Sequence, residues 1–367
     1  MKRRQFVTTT AAGAVAATAA GALPGPAIAQ GKRRWRMVTT WPRNFPGLGT
    51  GANYLARLIT EASEGRLEVE VYGAGELVPA FEAMDAVGSG TAEMGHGAPY
   101  YWKGKVRATE FIAVLPFGLN AQELNAWFYH GGGQELADEA YAQMNCKFFP
   151  AGNSGVQMAG WFNREINSLE DLKGLKMRIP GLGGEVMKAA GAVVVNLPGG
   201  EIMPALQSGS IDATEWVGPY NDLAFGFYKV AKYYYYPGWH EPGTCIDCFI
   251  NLDAWNDLPK DLQAVVEGAC RAANVAMLSE FTAANEDSLE VLVKKHGVVV
   301  KPLPDDVLTR LGELAGQVLD GIAAEDALAR KVLDSILDFR RKALAWNELS
   351  ELAFARARLL PFPYARG

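Results

Sequence analysis

The sequence predicts an α/β chain of two mixed-sheet lobes with a cleft between them, followed by long C-terminal helices. Three observations carry this reading. A strand–helix–strand unit occurs twice, the composition turns helical after residue 252, and the chain is long enough for two domains but not for many. Hydrophobic residues make up 49% and aromatics 10% of the 367 residues, so a sizeable core is affordable.

The repeat is explicit. Residues 69–94 read VEVYGAGELVPAFEAMDAVGSGTAEM and residues 193–215 read VVVNLPGGEIMPALQSGSIDATE. Each begins with a β-branched strand, continues with Gly-Glu-apolar-apolar-Pro-Ala and a short helix, and passes through Gly-Ser into a second strand. Pro79 and Pro204 are expected in the first helical turn, where a missing N–H costs nothing.

The other elements follow from periodicity. RWRMVTTW reads as a strand, YLARLITEASEG as an amphipathic helix closing at Gly65, and RLEVEVYG as a strand. A helix is expected over 121–142, then strands CKFFPAG and VQMAGWFN. SLEDLKG reads as a capped helical turn, LKMRIPG as a strand and GGEVMKAAG as a helix. IDATEWVGPY begins as a β-branched strand and is ended by Gly218-Pro219, which leaves an acid and two large aromatics at the strand end. TCIDCFINL is a further strand. Helical patterns fill 258–296 and 305–357, the last about 30 residues long with no proline. The resulting partition is an export signal over 1–29, lobe I over 34–153 with about 243–280, lobe II over 154–242 with about 281–325, and a long C-terminal helix over 326–358.

The first 29 residues carry a twin arginine (Arg3-Arg4), an Ala/Gly-rich apolar stretch and an A-x-A site at Ala27-Ile28-Ala29. That pattern predicts export of a folded protein to the periplasm, with a stretch too short to span a bilayer. Cleavage removes three basic residues and no acids, taking the formal charge from −6 to −9. An acidic surface argues against nucleic acid and anionic lipid as partners, but not against a small anion held by one local cation. The four cysteines are too few for a disulfide scaffold. Cys245 and Cys248 lie three apart on a predicted strand, so they point to opposite faces and are expected as buried free thiols.

Ligands of α/β lobes bind at the carboxyl ends of strands. In the first repeat that expectation places Glu93 and His96 at the cleft, and in the second Glu215 and Trp216. Arg178 sits near the end of LKMRIPG, and an arginine fork grips a carboxylate bidentately. The amide of Gln157, the carboxylates of Glu215 and Glu241 and a strand-end carbonyl are hard oxygen donors, suited to Na⁺, Ca²⁺ or Mg²⁺. Enzyme motifs fail in detail. HGGGQEL lacks an accompanying G-x-S-x-G, GNSG has the wrong spacing, GLGGEV has Val186 where a dinucleotide loop needs its third glycine, and no P-loop occurs.

The export signal together with GELVPAFEAMDAVGSGTAEM, GVQMAGWFNREINSLEDLKGLKMRIPG and GEIMPALQSGSIDATEWVGPYNDLAFGFYKVAKYYYYPGW resembles the periplasmic solute-binding subunits of TRAP transporters, over nearly the whole mature chain. EWVGPY with YYYYPGW is similar to the branch that binds 2-oxo monocarboxylates such as pyruvate together with a metal ion. The resemblance implies a two-lobed Venus-flytrap fold that captures a small 2-oxo acid and delivers it to TRAP permease membrane subunits, with no enzymatic step. It implies that Arg178 salt-bridges the substrate carboxylate and that Gln157 ligates metal and touches substrate. Glu215 would supply a carboxylate ligand and Trp216 its main-chain carbonyl and a wall. Glu241 would be a further site residue, with Asn153 and Tyr101 as substrate contacts. It implies Na⁺ as the ion, with Ca²⁺ the alternative: against Arg178, two acids and a substrate anion, a divalent ion gives a neutral site and Na⁺ leaves −1. The C-terminal helix resembles a segment through which some relatives dimerise by swapping, and equally fits an intramolecular brace. WHEPGTCIDC departs from the pattern, with His240 beside Glu241. Alternatives are a calcium-dependent lactate-binding protein, a metal-assisted periplasmic enzyme acting on a carboxylate, and a receptor feeding a sensor.

Overall fold

The computed structural model describes residues 31–362, so the export signal lies outside the described residues. Among the described residues there are eleven strands: β1 (Arg33–Thr39), β2 (Leu67–Tyr72), β3 (Met94–Gly97), β4 (Cys146–Asn153), β5 (Gly160–Phe162), β6 (Lys176–Arg178), β7 (Val193–Val195), β8 (Ala213–Thr214), β9 (Tyr233–Tyr236), β10 (Cys245–Asn251) and β11 (Val299–Pro302). They form two mixed sheets, ordered β2-β1-β3-β10-β4 and β11-β9-β5-β8-β6-β7.

The sequence repeat is a structural one. In the first sheet β2 and β3 both lie parallel to β1, one on each side. In the second, β7 and β8 flank β6 in the same way. Each unit is a β-α-β-α-β with strand order 2-1-3, the arrangement whose carboxyl strand ends open onto a ligand crevice. The chain leaves the first sheet after Asn153, returns to it at Cys245, and leaves again through the long helix Lys260–Glu290 toward β11. The lobe boundary expected near 280 therefore falls inside one continuous helix. Its apolar positions 262, 266, 269, 273, 277 and 281 recur at helical spacing. Leu262 through Ala273 pack into the core behind the first sheet, and Met277 and Phe281 into the core between the aromatic clusters.

Several elements differ from expectation. The helix over 121–142 is two helices, Ala121–His130 and Gly133–Ala142, because Gly132 adopts φ 85° and breaks the run. The strands read from VQMAGWFN and IDATEW shrink to three and two residues, since Glu215 to Val217 turn away from the sheet to form a loop. Pro204 is not in the first helical turn: the helix Gly199–Ser208 starts after Pro198, and the prolyl ring sits mid-helix. That is tolerated because Pro204 and Gly200, whose carbonyl loses its donor, are both exposed to water. Cys245 joins the core on one face of β10 and Cys248 the core on the other, and all four cysteines are buried and free. The C-terminal pattern is realised as Asp305–Glu325, Ala327–Leu349 and Glu351–Ala357. No helix among the described residues is long and apolar enough to cross a membrane.

Candidate functional site

Two of the three segments that cross between the sheets, 154–159 and 237–244, meet the ends of β6 and β8 and the turn after β3. At that junction Arg178, Glu215, Gln157, Glu241 and His240 are all buried, with Arg178 only 1% exposed. A buried arginine must be paired, and the geometry of its pairing defines the site. Nε donates to the Leu197 carbonyl at 3.0 Å. Nη1 donates to Glu215 Oε1 at 2.6 Å and to the Glu215 carbonyl at 3.3 Å. Nη2 has only the Tyr101 hydroxyl, at a weak 3.4 Å. The Nη2 edge therefore keeps donor capacity, and it faces a small cavity.

That cavity is nearly filled by its own lining, leaving only about 10 Å³ of room, and is bounded by Trp41, Leu48, Tyr100, Tyr101, Ser154, Gln157, Arg178, Trp216, Val217 and Ile246. That is far below the roughly 300–1,000 Å³ typical of drug-sized pockets. One side is polar (Arg178, Gln157, Ser154, Tyr101) and the other apolar. A wider surface concavity, between Thr50–Arg57 and Ala273–Glu280, holds no comparable cluster of buried charge.

The loop 215–217 is held from below. Asp222 accepts from Trp161 Nε1 at 2.9 Å, from Tyr234 Oη at 2.6 Å and from the Val217 N–H at 3.3 Å. Burial pushes the Asp222 acid up to about 7 despite these donors. Trp216 Nε1 donates to Asn221 Oδ1 at 3.1 Å, and Asn221 Nδ2 donates to the Pro46 carbonyl at 2.9 Å, which ties the Trp216 wall to the opposite sheet's loop. Trp216 lies with its ring centroid 5.2 Å from the Arg178 guanidinium carbon and meets Trp41 edge-on at 6.1 Å. Trp41 is itself fixed by a 2.9 Å bond from its Nε1 to His96 Nδ1. Burial pushes His96 down to about 4, so its ring is neutral and carries its proton on Nε2.

The donor set for a cation has a specific gap. Gln157 Nε2 donates to Glu241 Oε2 at 2.8 Å and to Ser154 Oγ at 3.1 Å, which fixes the amide's direction. Its Oε1 is then buried with no hydrogen-bond partner among the described residues. An unsatisfied buried carbonyl costs about 1–3 kcal/mol. Glu215 Oε2 has only His240 Nε2, at 3.3 Å. Ligand-capable atoms of Glu215, His240 and Glu241 all lie within 4.8 Å of one another. Burial, and then the neighbouring Glu215 carboxylate, push the Glu241 acid up to about 7. Two acids packed together beside an orphaned amide oxygen fit a hard cation.

Arg178, Gln157, Glu215, Trp216, Glu241 and Tyr101 thus converge. Asn153 does not reach the cavity: its Nδ2 donates to the Gly243 carbonyl at 3.1 Å and its Oδ1 accepts from the Gly155 N–H at 2.9 Å, so it pins the two crossing segments together. Glu93 is also not at the cleft. It precedes β3 and pairs with Arg36, whose Nη2 lies 2.8 Å from Oε1. Sequence reasoning missed Ser154, Thr244, Asp222, Tyr100 and Trp41; of these only Tyr100, beside Tyr101, carried any local signal.

Gly238 is where a side chain has no room. A Cβ there would lie 2.3 Å from the Gln157 carbonyl oxygen and 2.5 Å from its carbon, both backbone atoms. Gly238→Ala must push Gln157 out of place, at a cost of about 1–3 kcal/mol. Ligand titration of this variant is expected to show at least about tenfold weaker binding, with thermal unfolding lowered by only a few degrees.

Comparison with known proteins now decides the family. The model of bacterial extracellular solute-binding proteins, family 7 (DctP) matches residues 37–326. The chain belongs to this family. It is the solute-binding receptor of a TRAP-type transporter, a two-lobed binding protein and not an enzyme. It is 45% identical over 321 residues, 88% of each chain, to a monocarboxylate 2-oxoacid-binding periplasmic protein of Nostoc sp. PCC 7120. Among solved structures it is similar to the TRAP solute-binding protein of Pseudoalteromonas atlantica T6c with bound sodium and pyruvate (42% identity, TM-score 0.86, 89% of this chain and 99% of that one). It is also similar to that of Colwellia psychrerythraea with bound calcium and pyruvate (43% identity, TM-score 0.85, the same coverage).

Proposed function

We propose that this receptor captures a short 2-oxo monocarboxylate of the pyruvate type, held by Arg178 together with a Na⁺ or Ca²⁺ ion. The observation that carries this is that a buried arginine edge and the orphaned Gln157 Oε1 line the same small cavity. The similar proteins with bound pyruvate and sodium or calcium support it. Gln157 Oε1, the Glu215 and Glu241 carboxylates and the Trp216 carbonyl would hold the ion. A bound cation supplies a point charge that the carboxylate and keto oxygens of a 2-oxo acid chelate together.

The protein's own groups do the rest. Arg178 Nη2 and Tyr101 Oη receive the carboxylate. Burial pushes the Tyr101 phenol up to about 12, so it stays a neutral donor. Trp41, Leu48, Val217 and Ile246 meet a short apolar tail and exclude water, which strengthens the ionic contacts inside. Rotation about the segments 154–159 and 237–244 opens and closes the cleft between lobe I (34–153 with about 243–280) and lobe II (154–242 with about 281–325), and the closed form is what the permease membrane subunits receive. The twin-arginine signal read over 1–29 supports a periplasmic location for this receptor. A calorimetric panel of pyruvate, longer 2-oxo acids and lactate, each with Na⁺, with Ca²⁺ and with neither, tests the reading. Cation-dependent binding strongest for pyruvate is expected; lactate binding as tightly as pyruvate, or binding without an ion, would contradict it.

The raised Glu241 gives the pH dependence a sign. Below about 7 the acid is protonated and cannot ligate; above it the carboxylate is available. Cation affinity is expected to fall as pH drops below 7, by up to about tenfold per unit. Stability of the cation-stripped protein runs the other way. A carboxyl raised in the folded state binds more protons there than in the unfolded chain, so stability declines as pH rises from the ordinary carboxylate range to about 7. Thermal unfolding from pH 5 to 8, with and without cation, checks both signs.

The helices Ala327–Leu349 and Glu351–Ala357 expose Trp346 (69%), Leu349 (76%) and Phe354 (62%) along one stretch. Large apolar patches of this kind mark interaction sites. We assign them to a homodimer through the C-terminal helix. Deleting residues 345–367, which spares the core residues Ala329, Val332, Leu333 and Ile336, is expected to convert a dimer to a monomer in light scattering; an unchanged dimer, or a monomeric full chain, would remove the assignment.

A further inference from the structure

We infer that Thr244 positions a cation site assembled wholly on the second sheet and the segments joining it to the first, so that the cation binds before the 2-oxo acid. This rests on the cation site proposed above and deepens it.

The donors share one origin. Glu215 and the Trp216 carbonyl follow β8, and Arg178, on the neighbouring β6, holds Glu215 Oε1 at 2.6 Å. Gln157 and Glu241 lie on the two crossing segments that meet at the site. Backbone bonds join those segments beside them: the Gln157 N–H donates to the Glu241 carbonyl at 3.2 Å, and the Gly238 N–H to the Gln157 carbonyl at 2.8 Å. The first sheet's side of the cavity is Trp41, Leu48, Tyr100, Tyr101 and Ile246, which bring no carboxylate and no side-chain amide. Separation of the two sheets would leave the oxygen set whole and remove only the wall and the Tyr101 hydroxyl.

Thr244 fixes the direction of the donors without a ligand. It is completely buried, and its hydroxyl donates to Glu241 Oε2. The same oxygen accepts from Gln157 Nε2 at 2.8 Å, while Ser154 Oγ accepts the amide's second N–H at 3.1 Å. With both N–H groups taken, the Gln157 amide presents Oε1, the buried oxygen with no partner among the described residues. Thr244 is itself tied to Ser154: its N–H donates to Ser154 Oγ at 3.3 Å, and its carbonyl accepts from the Ser154 N–H at 3.2 Å. The ties from Thr244 to Glu241 and from Ser154 to Gln157 each span three residues of one segment, so neither depends on how the sheets sit relative to each other. A preformed set of this kind binds without the cost of ordering it.

The order follows from charge. Arg178 is already matched by Glu215, so an anionic acid arriving first meets no net positive charge, and a second buried carboxyl, Glu241, stands nearby. That balance reverses once a cation is bound.

The test titrates the cation-stripped mature protein calorimetrically with Ca²⁺ alone, with pyruvate alone, and with Ca²⁺ under saturating pyruvate. Ca²⁺ alone is expected to bind at one site and pyruvate alone to show no binding. Saturating pyruvate should tighten Ca²⁺ by about 5–150-fold. Two substitutions separate positioning from packing. Thr244→Val keeps the shape and loses the hydroxyl, and its affinity for Ca²⁺ alone should fall by about 10–100-fold. Thr244→Ser keeps the hydroxyl and loses the methyl, and should stay within about threefold of wild type. A residue that merely packs would give the opposite order. Ca²⁺ binding that appears only when pyruvate is present, or wild-type Ca²⁺ affinity in Thr244→Val, overturns the inference. If Ca²⁺ and pyruvate still bind together in that case, the site proposed above stands; if pyruvate binds the cation-stripped protein, that site is lost as well.

Discussion

Arg178→Ala is expected to abolish measurable binding of small carboxylates. The guanidinium is the buried cation whose Nη2 edge opens onto the cavity, and no other arginine or lysine lines it. Removing one member of a buried charge pair typically costs about 3–5 kcal/mol, which corresponds to roughly two to three and a half orders of magnitude in affinity. The same change leaves Glu215 buried opposite nothing but His240, so a loss of stability accompanies it. Arg178→Lys separates the two effects. It keeps the charge but loses the fork that bonds Leu197, Glu215 and the ligand at once. Its binding should fall between wild type and alanine, with circular dichroism unchanged. Wild-type affinity in a folded Arg178→Ala protein would remove this residue from the site.

Glu215→Ala should be nearly as severe, and its signature differs. Glu215 offers one oxygen to Arg178 at 2.6 Å and its other to the cation cluster. Without it Arg178 is buried with no counter-charge, which costs about 3–5 kcal/mol of stability, or roughly 4–7 °C in the unfolding temperature of a chain this size. In wild type, added Na⁺ or Ca²⁺ with pyruvate should raise the unfolding temperature, because the ligands bind the folded state alone. In Glu215→Ala that rise should vanish. A variant whose unfolding temperature still climbs with cation would show that Glu215 serves Arg178 only.

Much of this site was legible in the chain because its residues sit at strand ends, where sequence pattern is informative. Arg178 closes β6, and Glu215-Trp216 follow β8, and both strands announce themselves through the repeat. The 2-1-3 strand order shared by the two sheets is the physical content of that repeat. The same logic misplaced Glu93. The repeated strands are equivalent, but Glu93 stands before its strand and Glu215 after, so the two acids occupy opposite ends. Helix boundaries failed where a glycine or proline acts through tertiary context, as at Gly132 and Pro204. What could not be read was convergence. Asp222 holds the loop 215–217 through Trp161 and Tyr234, residues from two other strands, and nothing local in YNDLAF reports that. His240 looked like a departure beside Glu241, and only the fold brings its ring against Glu215 from the opposite crossing segment.

The central claim is that a 2-oxo acid and a cation are captured together in a cleft walled by Trp41 and Trp216. Intrinsic tryptophan fluorescence of the cation-stripped mature protein, titrated with pyruvate in the presence and absence of Na⁺ or Ca²⁺, tests it most directly. A saturable change that requires the cation is the predicted result. An equal response without any cation, or no response from an intact fold, would contradict it.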